Sequence, residues 1–205
     1  MINSTILTPF PTMRLHRAGF PDKMIKTWPE VIDFTGKRPE KERYIIGLFS
    51  KFGKKKEALI TCPISGEAIE ASQIEDETFA AGILGFTVGV RPAEGKVFAP
   101  ADGTVSMLFD THHAIGLEID GVELLIHVGV DTVSLEGKHF TPHIKTGDKV
   151  QAGQLLLEFD GAAIEAAGYH QTTAVIVTNA DALGEIHSEL GPKTHGDPLL
   201  HIMKK

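Results

Sequence analysis

His127 sits within the run Glu123-Leu124-Leu125-Ile126-His127-Val128-Gly129-Val130-Asp131-Thr132, and a second histidine, His113, lies at the start of the preceding apolar stretch. An imidazole bracketed by branched apolar residues is costly to bury as a charge, so it needs a partner or a chemical task. With an unperturbed pKa of about 6.5 it is neutral and nucleophilic at cytoplasmic pH, which suits a phosphoryl acceptor. A transferring phosphoryl group spreads its charge over its oxygens in a loose transition state, so catalysis is mostly positioning and donor hydrogen bonds. A second imidazole can supply one such donor. Thr111, two residues before His113, is a candidate to fix that ring's tautomer. Backbone N–H groups around Gly129 and Val130 are further candidate donors, and a glycine at 129 would let a partner approach without a side chain in the way.

The same residues admit a metal reading. His127-x-x-x-Asp131 with His113 resembles part of a zinc site, but no clear fourth ligand accompanies them in the sequence. His112, His139, His143, His170, His187, His195 and His201 read as ordinary surface or turn histidines. Cys62, beside Pro63, reads as a small buried hydrophobe.

Strand periodicity has to bring the two rings together. Alternation over 111–117 puts Thr111, His113, Ile115 and Leu117 on one face, and over 123–129 it puts Glu123, Leu125, His127 and Gly129 on one face. Between them lies Ile119-Asp120-Gly121. A three-residue loop with Gly121 left-handed sets 113 directly opposite 127. A two-residue turn at Asp120-Gly121 would instead send the rings to opposite faces, because a one-residue slip inverts a strand's faces. Convergence therefore depends on register.

The surrounding pattern is β. Gly95–Pro100, Gly103–Phe109 and Ala174–Val177 are short, rich in branched or aromatic residues, and punctuated by glycine, proline or Asp-Gly. Helical candidates are confined to Glu75–Leu84 and Ala162–Gly168. Gly147–Leu156 has a near-copy in Gly191–Leu200, a wide-turn pattern with glycines where φ must be positive. The expectation is an all-β domain over 58–205, an antiparallel β-sandwich or distorted barrel with a few short helices.

The chain has 205 residues, a net charge of −7, 42% hydrophobic residues and a single cysteine, so no internal disulfide is available. No apolar stretch approaches the roughly 20 residues that span a bilayer. The charge is uneven: residues 1–57 carry +6 and residues 58–205 carry −13. An acidic body argues against nucleic acid as a partner. Residues 1–57 read as a basic extension, largely disordered, with a short amphipathic helix near 46–53 before Lys54-Lys55-Lys56. Such an arm can make peripheral contact with an anionic membrane surface or fold back on the body.

Several motifs in one order, Ala99-Pro100-Ala101-Asp102-Gly103-Thr104-Val105, Thr111-His112-His113-Ala114-Ile115-Gly116 and Leu125-Ile126-His127-Val128-Gly129-Val130-Asp131-Thr132-Val133, resemble the glucose-family IIA component of the bacterial phosphoenolpyruvate-dependent sugar phosphotransferase system. Cys62–Glu67, Gly137–Phe140 and Val175–Asn179 support the likeness, which runs from about Gly47 to Lys205. The resemblance implies a cytoplasmic phosphotransferase component that accepts phosphate from the small carrier HPr and passes it to the IIB domain of a membrane sugar permease. It implies His127 as the phosphorylated residue, reacting through Nε2, His113 as the neighbour needed for onward transfer, and Thr111 as its orienter. It also implies a contact rim formed by Phe79, Ile83, Leu84, Phe109, Leu125 and Asp131, apolar with acidic edges. No cofactor is required, although His113 and His127 can bind zinc when a partner adds a carboxylate. Leu125 stands where the family commonly has phenylalanine, and the hairpin between the histidines is one residue shorter than in some relatives.

Residues 1–45 have no counterpart in the resemblance. They are expected to be an upstream extension, through a misassigned translation start, or a remnant linker of a fused permease. The competing functions are a module that only regulates transporters or kinases and a zinc-dependent hydrolase on a related β scaffold.

Overall fold

The computed structural model describes residues 57–205. The expected extension and amphipathic helix therefore lie outside the described residues, Glu57 excepted. Among the described residues every strand pairing is antiparallel, as the sequence pattern predicts, and the strands form three sheets. The largest has eight strands. In chain order they are β2 (Gly66–Glu70), β3 (Phe86–Pro92), β5 (Gly103–Leu108), β6 (Ala114–Ile119), β7 (Val122–His127), β9 (Lys149–Val150), β11 (Thr173–Val177) and β13 (Gly191–Lys193). Their spatial order is β13-β2-β3-β11-β7-β6-β5-β9. One three-stranded sheet joins β1 (Glu57–Thr61), β14 (Pro198–Met203) and β12 (Ile186–Ser188); the other joins β4 (Lys96–Phe98), β10 (Leu155–Phe159) and β8 (Phe140–Pro142).

Two faces of the large sheet are used differently. Val122, Leu124 and Ile126 of β7 enter the main core with Ile115, Leu117 and Ile119 of β6 and Val175 and Val177 of β11. The alternate residues of β11, Ala174 and Ile176, enter a second, smaller cluster with Ile69, Ile74, Phe79 and Val130. All five residues of β11 are thus buried, which explains its unbroken apolar run. Each fully buried aliphatic side chain contributes about 1.5–3 kcal/mol.

Helices are short, as expected. The first, α1 (Glu77–Ala80), lies inside the predicted 75–84 window, and the second, α2 (Gly161–Ala166), starts one residue before its predicted beginning. Asp76 caps α1, its carboxylate accepting from the Phe79 N–H at 2.8 Å. The chain then turns through Gly82 at φ +63° and Gly85 at φ +134°. Glycine is required at 85, where a Cβ would come within 2.2 Å of the Val177 carbonyl oxygen.

The internal echo is real but offset by one residue. In both copies a turn closes from the fourth residue's N–H to the first carbonyl, Gln154 to Gln151 and Asp197 to Thr194. In both, the fourth side chain accepts from the first N–H, at 3.2 Å and 2.7 Å. The third residues, Gly153 and Gly196, have φ of +78° and +93°. Aligning the first glycines, 147 with 191, conceals this equivalence of 151–154 with 194–197.

Candidate functional site

The alternation in β7 is as expected: Glu123, Leu125 and His127 turn away from the main core. His127 pairs with Ala114 on one side and Ala174 on the other. Two methyl groups as cross-strand neighbours leave the space above the strand to the imidazole and whatever it holds.

The hairpin, however, takes the register that was expected to separate the rings. Ile119 pairs with Val122, so the loop is the two-residue turn Asp120-Gly121, with φ of +47° and +82°. Two successive left-handed residues are the signature of the tight hairpin turn that matches strand twist. His113 nevertheless meets His127, with ring centroids 4.6 Å apart and planes at 80°. The strand begins only at Ala114, and His112 is left-handed at φ +57°. His113 therefore belongs to the turn, its orientation set by that turn and not by the pleat. Its carbonyl still accepts from the Val128 N–H at 2.8 Å. The predicted strand face of Thr111, His113 and Ile115 is corrected accordingly.

Each ring is tied through Nδ1. The Thr111 Oγ1 lies 2.6 Å from His113 Nδ1. His127 Nδ1 lies 2.9 Å from the Gly129 carbonyl oxygen. A carbonyl only accepts, so His127 Nδ1 carries the hydrogen, and in the neutral ring Nε2 carries the lone pair. A hydroxyl can donate or accept; when Thr111 donates, His113 is the Nε2–H tautomer.

Both rings are held neutral. His113 is 3% exposed; burial, and secondarily the nearby His127, push its pKa down to about 4. His127 is also lowered from its usual value, chiefly by burial, although its bond to the Gly129 carbonyl and the charges of Asp76 and Asp131 oppose the shift. Asp76 was not singled out in the sequence. Its signal, a helix N-cap three residues before Phe79, predicts a local structure and no tie to a histidine.

The expected contact residues divide. Phe79 is no open rim: it is 7% exposed and lies against the His127 ring, centroids 5.0 Å apart. The α1 cap holds it there as a wall. Phe109, 37% exposed, stands edge-on to His113 at 5.6 Å. Leu125 is half-buried two residues along β7, and Asp131 is exposed at φ +57°. Ile83, 72% exposed, and Leu84 occupy the turn after α1. Phe109 and Leu125 also line a shallow groove of about 320 Å³ with Met107, Gly116, Glu118 and Glu123. Glu118 and Glu123 are direct cross-strand partners there. Like charges so placed are unfavourable by themselves.

Two expectations about the loop after His127 need correction. Gly129 is buried, and a Cβ on it would lie 2.4 Å from Thr132 Cγ2 and 2.7 Å from the His170 carbonyl oxygen. Its smallness serves the chain's own packing. The Val130 N–H donates to that same His170 carbonyl at 3.0 Å, so it is committed and not a spare donor. The metal reading finds no further ligand: among the described residues no group of three or more His, Cys, Asp or Glu converges as a metal site. Among them, too, no helix is long and apolar enough to cross a membrane. Cys62 is buried, and its Sγ donates to the Ile64 carbonyl at 3.1 Å.

Comparison with known proteins adds the following. Residues 58–183 match the family described as phosphoenolpyruvate-dependent sugar phosphotransferase system, EIIA 1. The PTS system beta-glucoside-specific EIIBCA component of Dickeya chrysanthemi is 52% identical over 130 residues, which are 63% of this chain and 21% of that protein. This chain thus spans about a fifth of the length of such relatives. The PTS system glucose-specific EIIA component of Haemophilus influenzae is 36% identical over 166 residues, covering 78% of this chain and all of that one. Among solved structures, the glucose permease IIA from Mycoplasma capricolum superposes with a TM-score of 0.65 at 28% identity, covering 71% of this chain and 96% of the other.

Proposed function

Because this chain belongs to the EIIA 1 family of the phosphoenolpyruvate-dependent sugar phosphotransferase system, we propose that it is a cytoplasmic phosphocarrier that takes a phosphoryl group from HPr onto His127 Nε2 and gives it to the IIB domain of a sugar permease. The observation that carries this reading is the bond from His127 Nδ1 to the Gly129 carbonyl, which leaves the lone pair on Nε2. That lone pair attacks phosphorus while the donor's N–P bond breaks and its electron pair returns to the donor ring. The Nδ1 proton stays on His127, shared with the carbonyl. No proton has to move at the moment of transfer, which suits a reversible exchange between two imidazoles.

His113 supplies the hydrogen bond to the phosphoryl oxygens from Nε2–H, with Thr111 donating to its Nδ1. Being neutral, it stabilises the anion without trapping it as an ion pair would, so the group can leave again. Phe79 and Phe109 flank the two rings and exclude water during transfer. Phe109 and Leu125 offer an apolar contact patch, Ile83 and Leu84 extend it, and Asp131 with the Glu118–Glu123 pair offers negative charge to a basic partner face. The transfer itself needs no cofactor. Two histidines make at most half of a zinc shell, so zinc would be held here only with a carboxylate from a partner. A hydrolase would need a third ligand and a water-bearing position from this chain.

The test is label transfer. Incubated with phosphoenolpyruvate, Enzyme I and HPr, the wild type should acquire acid-labile, base-stable phosphate. His127→Ala should acquire none, and His113→Gln should be labelled but fail to pass the label to a IIB domain. Label persisting on His127→Ala would defeat the assignment.

A further inference from the structure

The Gly129 carbonyl decides which nitrogen of His127 is the nucleophile, so whatever fixes that carbonyl matters to the reaction. Two peptide planes meet at the Gly129 Cα, and both are pinned. The plane that carries the Gly129 oxygen also carries the Val130 N–H, which donates to the His170 carbonyl at 3.0 Å. The preceding plane carries the Val128 carbonyl, which accepts from the Thr132 hydroxyl at 2.5 Å. The N–H of Val128 itself donates to the His113 carbonyl at 2.8 Å. Thr132 is fully buried, and its Cγ2 lies where a side chain on Gly129 would have to go.

Asp131 at φ +57° is left-handed, which costs an L-residue, and Gly129 at φ +77° has glycine's freedom to adopt other conformations, so neither residue fixes the loop by itself. Among the described residues, Thr132 reaches back into this loop with its side chain, four residues after the carbonyl it binds. We propose that Thr132 is a positioning residue for phosphoryl transfer: its hydroxyl, through the Val128 carbonyl, holds the Gly129 carbonyl on His127 Nδ1 and so keeps His127 in the tautomer with a free Nε2. This rests on the phosphocarrier reading of His127 and goes beyond it in naming what enforces the nucleophile's tautomer. Thr132 never touches the phosphoryl group. Its loss lets the proton redistribute between Nδ1 and Nε2, and each molecule with Nε2–H is silent as an acceptor.

The experiment compares wild type, Thr132→Val and Thr132→Ser by two readouts: nitrogen-15 spectra of the histidine rings across pH, and the initial rate of label uptake from phospho-HPr. Wild type and Thr132→Ser should show His127 as a single Nδ1–H tautomer. Thr132→Val, which keeps the packing methyl and loses the hydroxyl, should show a tautomer mixture. Its uptake rate should fall about tenfold to a hundredfold, as when the group orienting a reactive histidine is removed. A folded Thr132→Val with the wild-type tautomer and wild-type rate overturns the proposal. Should that variant not fold, the wild type alone still decides: an Nε2–H tautomer at neutral pH overturns the proposal, and so does a Thr132→Ser with hydroxyl retained yet a mixed tautomer. Wild type that shows the Nδ1–H tautomer but takes no label leaves the positioning intact and rejects the phosphocarrier reading instead.

Discussion

His113 and His127 face each other across less than 5 Å between ring centroids, yet the chain secures them by different means. His113 hangs from a turn, and a side-chain hydroxyl two residues away holds its Nδ1. His127 stands on a central strand between two alanines, and a backbone carbonyl two residues away holds its Nδ1. A hydroxyl can reverse its donor and acceptor roles; a carbonyl cannot. In the proposed roles, the ring that has to present a lone pair is thus tied to the invariable partner. The ring proposed to assist is tied to the adaptable one.

The largest expected effect on this contrast is pH. His113 is neutral in the fold down to about pH 4 but titrates near 6.5 when unfolded, so the unfolded chain binds its proton first. Its contribution to stability is then fully present above about pH 6.5 and declines toward about pH 4, by at most about 3 kcal/mol. His127 is shifted the same way and adds a loss of the same sign, so the pair is read together. Urea unfolding of wild type and His113→Asn between about pH 7 and about pH 4 should give a flatter profile in the variant. Equal slopes would show that burial of His113 costs the fold nothing on acidification.

Next in size is Thr111→Val. Removing the hydroxyl frees His113 to take either tautomer, so onward transfer to a IIB domain should slow by about tenfold while uptake from phospho-HPr changes less. Measuring the two half-reactions separately checks the split, and equal slowing would mean that the rings do not divide the work. The smallest effect is expected from Asp76→Ala. Loss of the cap on α1 should cost about 1 kcal/mol, read as a lower melting temperature. The His127 pKa should fall further as a carboxylate that raises it is lost. An unchanged His127 titration would confine Asp76 to capping.

Much of this was legible without coordinates. The alternation of β7 follows from a period of two written in Val122, Leu124 and Ile126 against Glu123, Leu125 and His127. The unbroken apolar β11 announces a strand buried on both faces. The meeting of the histidines was not legible from pattern. Alternation carried back through His113 requires a three-residue loop, whereas Asp120-Gly121 forms a two-residue turn and His112 breaks the strand. The residues that hold His127 were hidden for a related reason. Gly129 and His170 act through their carbonyls, and Thr132 through a hydroxyl whose target is a backbone carbonyl; side-chain types do not encode those backbone directions.

Sequence alone determined the β class and the charge contrast between residues 1–57 and 58–205, and it singled out His113 and His127 as candidates for phosphoryl exchange. Periodicity and composition are local properties, and the hydrophobic effect converts them into faces and cores with little ambiguity. Tertiary structure alone decided which ring nitrogen is free, that Phe79 is a wall beneath His127 and not a rim, and that Gly129 is packed shut. Those depend on hydrogen-bond directions and on contacts between residues distant in the chain. A change of a few ångströms or one left-handed residue reverses them, and no side-chain pattern records it.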